Sequence, residues 1–149
     1  MQSGTRHSDV QDWRVASRAG IVYTSCVFVF AFAVGTIRVT LVAPRLGALL
    51  AVVLEAPVVL AMSWGVSLWC VRRFHVSDTL RARVLMGTVA FLALMLLELG
   101  VAVLAFGETL DLYFSKYATA PGVIGLAMQA CFATIPWVQS HARSGSGPK

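Results

Sequence analysis

Apolar positions fall into four long runs, near 19–42, 45–70, 82–106 and 121–138, separated by short polar stretches. A hydrocarbon core about 30 Å thick takes ~20 helical residues to cross, so these runs predict four membrane spans. Between the third and fourth, "GETLDLYFSKYATAPG" carries Leu110, Tyr113, Phe114 and Tyr117 at i, i+3, i+4 and i+7. Glu108, Asp111 and Lys116 lie mainly elsewhere on the wheel, which predicts a short helix along the membrane interface. Gly107 is expected to end the third span, Pro121-Gly122 to separate the short helix from the fourth, and Pro44 to break the first span after Val42.

The expected fold class is all-α: a polytopic membrane protein with four transmembrane helices in an up-down bundle and a short interfacial helix between helices three and four. It divides into a tail over 1–18, a transmembrane domain over 19–138, and a disordered tail over 139–149 ending in "RSGSGPK". "SDVQ", Ser8 to Gln11, fits a capping box for a short juxtamembrane helix. Arg14 and Arg18 ahead of an apolar run containing Ala31-Phe32-Ala33 also fit a cleaved signal sequence. The run continues past Ala33, however, and a retained first span gives an even hairpin arrangement.

Composition agrees with a membrane protein: 58% of residues are hydrophobic and 13% charged, against about 25% charged in soluble domains. The net charge of +5 does not point to nucleic acid, because the basic residues sit at the ends of apolar runs rather than on one soluble face. Arg6, Arg14, Arg18, Arg72, Arg73, Arg81, Arg83, Arg143 and Lys149 fall on one side of the four-span frame, and Arg38, Arg45 and Lys116 on the other. That bias predicts cytoplasmic termini and a cytoplasmic middle loop, and it argues against a dual-topology dimer. Trp13, Trp69 and Trp137 at the basic boundary, and Tyr113, Phe114 and Tyr117 at the other, read as interfacial anchors; Trp64, deeper, reads as packing.

Cys26, Cys70 and Cys131 lie in or at the ends of apolar runs without a Cys-x-x-Cys pair, so they read as buried, inert thiols. His7, His75 and His141 all fall outside the runs, leaving no axial pair for a haem. No cofactor or metal is expected.

Ionisable groups within spans are costly and raise a functional question by default. With ~1.5 Å of rise per residue, Glu55, Glu98 and Gln129 lie roughly 12 to 14 Å below the outer ends of their spans, and Arg38 roughly 6 Å below its own. Arg38 is the expected partner of Glu55 or Glu98, since neither lipid nor leucine satisfies a carboxylate. One arginine cannot balance two carboxylates, so either one glutamate stays protonated or Arg45 swings inward from the turn. Arg45 otherwise sits at headgroup level, where it could contact a lipid phosphate. The layer reads either as a structural clasp or as a path for a proton or small cation, with Pro57 as a possible kink beside Glu55.

The pattern Gly-Thr-x-Arg, Pro-Arg-Leu-Gly and Glu-x-Pro, at Gly35, Thr36, Arg38, Pro44 to Gly47, Glu55 and Pro57, together with "LELG" at Leu97 to Gly100, resembles a group of small bacterial four-span inner-membrane proteins. The resemblance implies a bacterial inner (plasma) membrane location and no particular activity. No paired histidines, Gly-x-Ser-x-Gly or phosphate loop suggests an enzyme. A lipid-phosphate enzyme using Arg38, Arg45 and Glu108 at the outer face is the one enzymatic alternative. The leading expectation is an accessory or structural inner-membrane component; the alternative is a small proton- or cation-coupled transporter acting as an oligomer. Membrane lipids, a second copy of the chain or a larger membrane complex are the expected partners.

Overall fold

In a computed structural model, backbone is described over residues 3–144 and side chains over 12–142. The side chains of the capping box at Ser8 to Gln11 lie outside the described residues; of the tail expected to be disordered over 139–149, residues 139–144 are helical and the rest lies outside the described residues. The chain forms α1 (Ser3–Ile37), a π turn (Arg38–Val42), α2 (Ala43–Leu46), α3 (Ala48–Phe74), α4 (Leu80–Gly100), a second π turn (Val101–Ala105), α5 (Leu110–Ser115), a 3-10 turn (Lys116–Ala118) and α6 (Ala120–Ser144). Four stretches are long and apolar enough to cross a membrane: Asp12–Leu46, Ala48–Phe74, Leu80–Ala105 and Ala120–Ala142. This is an all-α, multi-pass membrane protein.

Three boundaries differ from expectation. α1 is continuous from Ser3, so no separate juxtamembrane helix precedes the first span. Pro44 does not end that span. In a plain α-helix its ring would strike the carbonyl of residue 40, but here Ala43 N–H bonds the Arg38 carbonyl in a π turn, and Pro44 falls in the first turn of α2, where its missing N–H costs little. The first span ends instead at Gly47, whose φ of +81° favours glycine. Likewise Pro121 lies within the first turn of α6 rather than separating it, because Thr119 Oγ1 accepts from Gly122 N–H and caps the helix. Gly107, at φ +65°, closes the third span as its sequence position predicts.

Successive spans alternate in direction, but they are not all neighbours. α1 packs on α3 and α4, and α6 packs on the same two helices, so the spans occupy a square in the order one, two, four, three. The short 75–79 link therefore carries the chain along a diagonal. Arg83, counted by its charge with the middle loop, is buried and folds this link: its Nε donates to Ser77 O and one terminal nitrogen pairs with Asp78 at 2.8 Å. Ser77 Oγ donates to Asp12 Oδ1, joining the link to α1.

Packing is concentrated at this basic end. Ala16, Ala19, Tyr23, Val27, Cys70, Met86, Ala90, Leu94 and Phe132 form one buried core. From residue 28 to residue 50 no side chain is fully buried. Trp64, expected to be interior, is 39% exposed on the bundle surface, as are Cys26 and Cys131; of the three thiols Cys70 is buried.

Candidate functional site

Continuation of the first helix past Pro44 changes the depth of Arg38. Eight residues now separate it from the end of the span at Leu46, so it lies roughly 12 Å in rather than 6 Å. Counted the same way, Glu55, Glu98 and Gln129 lie roughly 10 to 14 Å from the ends of theirs. By this count the four residues lie at similar depths along their spans.

They do not form one cluster, however. Arg38 Nε lies 2.5 Å from Glu55 Oε2, with the Glu55 side chain 13% and the Arg38 side chain 27% exposed. The Nε–H does not point along a hydrogen-bond direction, so this is a close ion pair rather than a directed bond. Gly35, one turn earlier, lies beside the pair: a Cβ there would meet Glu55 Oε1 at 3.6 Å, an ordinary contact. On the opposite edge of the square, Gln129 Nε2 donates to Glu98 Oε2 at 2.6 Å, and Gln129 Oε1 is buried without a hydrogen-bond partner. Arg38 serves Glu55 rather than Glu98.

Arg45 does not swing inward. It is exposed, and its terminal nitrogen bonds Leu41 O at 3.4 Å on its own helix. Glu108 is ion-paired with Lys116 through both carboxylate oxygens. The three residues of the lipid-phosphate alternative, Arg38, Arg45 and Glu108, are thus each held by a different partner.

Between the third and fourth spans a short helix, α5, forms, capped by Thr109 Oγ1 accepting from Leu112 N–H. Leu110, Leu112 and Phe114 face outward, while Tyr113 is buried, its hydroxyl 2.8 Å from that of Tyr117. Burial pushes the Tyr113 phenol above the ordinary tyrosine value; its hydrogen bond to Tyr117 and the nearby Glu98 and Glu108 act in the same direction.

A second polar system lies nearer the basic end. Ser67 Oγ donates to Gln139 Oε1 at 2.9 Å, and Gln139 Nε2 donates to Trp64 O at 2.9 Å. Thr24 Oγ1 donates to Ala90 O at 2.7 Å, and Tyr23 hydroxyl donates to Phe132 O at 3.1 Å. All donors and acceptors here are neutral and satisfied by helix carbonyls or one another, so this system locks helices together. Sequence alone did not single it out because serine, threonine and tyrosine are common in spans; Gln139, an amide at the end of the fourth apolar run, was the available signal.

No protein-family model, curated sequence or solved structure matches the chain.

Proposed function

We propose that this protein is a non-enzymatic component of a bacterial inner (plasma) membrane, with both termini and the 75–79 link cytoplasmic, and that it acts as an accessory or structural element. The observation that supports this reading best is the Arg38–Glu55 pair, a one-to-one neutralisation joining spans one and two in a bundle half that buries little else. Removing one member of a fully buried pair costs about 3 to 5 kcal/mol because a charge is left alone, an upper bound for this partly exposed pair, whereas replacing both by apolar residues is close to neutral. Exposed apolar residues around the pair, including Phe32, Ile37 and Leu54, would face lipid, a second copy or a larger complex. The charge bias across the four spans supports the orientation.

The clasp is tested by Arg38→Leu, Glu55→Leu and the double substitution. Each single variant should lower abundance and melting temperature in mild detergent, and the double variant should recover most of the loss. Normal abundance of both single variants would remove the clasp. Proteins copurifying after mild extraction test the accessory role, which requires a partner or a second copy.

A second reading, proton- or cation-coupled transport, draws on one observation: Glu98 faces a neutral amide rather than a cation. It requires flux. Normally abundant Glu98→Gln with lost pH-dependent flux in proteoliposomes would favour transport over the accessory role.

A further inference from the structure

The two membrane glutamates share a depth but not an environment. Glu55 has a guanidinium against it; Glu98 has an amide. Around Glu98, α6 contributes Gln129, and the first span contributes Arg38, which is held by Glu55. The segment between the third and fourth spans contributes Tyr113 and Tyr117, which bond each other, with Lys116 occupied by Glu108. Across the diagonal, α3 brings Glu55 itself at this depth. Among the described residues, Glu98 therefore has no cation of its own, and an uncompensated carboxylate in apolar surroundings neutralises by taking up a proton.

We infer that Glu98 with Gln129 forms a proton-binding site: at neutral pH the Glu98 carboxyl carries an exchangeable proton, while Glu55 stays ionised against Arg38. Glutamine suits this role because its two ends are nearly the same shape. With Nε2 toward Glu98 it donates to the carboxylate; turned over, its Oε1 accepts from the protonated carboxyl across the same contact, and 2.6 Å fits an O–H···O bond. Loading and unloading a proton thus never leaves Glu98 without a partner. The hydroxyls of Tyr113, which is buried, and Tyr117, which is half-buried, bond each other in the segment that follows the third span, at the end opposite the termini. The inference holds whether or not the protein transports anything, since a held proton could serve a switch as well as a pathway.

A membrane-soluble carbodiimide tests it, because this reagent reacts with protonated carboxyls. The carboxyl oxygen bonds the central carbon, its proton moves to a reagent nitrogen, and an acyl shift to nitrogen leaves a stable N-acylurea that retains the whole reagent. Full-length protein in mild detergent at neutral pH, mapped by mass spectrometry, should carry the adduct on Glu98 and not on Glu55. Labelling should fall about tenfold per pH unit once the pH exceeds the titration point of Glu98. Arg38→Gln should make Glu55 reactive, showing that pairing rather than access protects it. Infrared spectra supply a second readout: a protonated-carboxyl band in the wild type should vanish in Glu98→Gln and persist in Glu55→Gln. An adduct on Glu55 equal to that on Glu98, no adduct on Glu98, Glu55 still unlabelled in Arg38→Gln, or a band that survives Glu98→Gln would each overturn the inference.

Discussion

Tyr23 occupies a place that a proline creates. Pro136 lacks the N–H that would bond the Phe132 carbonyl one turn earlier, and the Tyr23 hydroxyl, reaching across the bundle from α1, donates to that oxygen while its ring stacks on Phe132 at 4.4 Å. Tyr23→Phe should therefore cost about 1 kcal/mol, the scale of a hydrogen bond within a membrane bundle. Pro136→Ala restores the helix's own donor, so Tyr23→Phe should cost less in that background; thermal unfolding of the four variants in detergent measures the coupling. Tyr113 carries a pH dependence of defined sign. Its phenol is raised, so above about pH 10 the unfolded chain loses a proton that the folded chain keeps, and stability falls as pH rises. Tyrosinate absorbance followed with unfolding from pH 8 upward checks this, and Tyr113→Phe should flatten the trend. Arg38, Glu55, Glu98 and Gln129 stand out in the sequence because charged and amide side chains are rare in spans. Their partition into pairs was not legible, because it depends on which helices are neighbours. Tyr23 was not legible either: its role exists through a proline 113 positions away in the chain.

At the scale of elements, glycines and π turns set how helices meet. A Cβ on Gly87 of α4 would overlap the Ala133 carbonyl of α6, a backbone atom that cannot rotate aside. Gly87→Ala should cost about 1 to 3 kcal/mol, the range for overpacking, measured as a lowered melting temperature in detergent. Gly65→Ala, where nothing lies within 4 Å of the added atom, is the matched control and should change little. Both π turns fall toward the end opposite the termini, one opening at Arg38 and the other three residues after Glu98. The existence of four spans and the Gly107 stop were legible from hydrophobicity and turn chemistry. The survival of the first helix past Pro44 was not, because a proline rule written for regular α-helix does not count the extra residue that a π turn accommodates. Trp64 was misplaced for a related reason: depth along a span says nothing of which side of the helix faces the bundle.

For the whole molecule, the four-span frame predicts that Ser77 and Asp111 lie on opposite sides of the membrane. With Cys26, Cys70 and Cys131 replaced by alanine, Ser77→Cys and Asp111→Cys should react with an impermeant maleimide from opposite faces of sealed vesicles; same-side labelling would overturn the topology. The square order of the spans has a further consequence, for how the chain is made. Spans one and two are neighbours, and spans three and four are neighbours, while two and three are not. Arg38–Glu55 lies wholly within the first hairpin and Glu98–Gln129 wholly within the second. Each half can thus leave the insertion machinery for lipid with its costly groups already partnered, before the other half has been synthesised. Two fragments divided in the 75–79 link and produced together should reassemble into a stable protein.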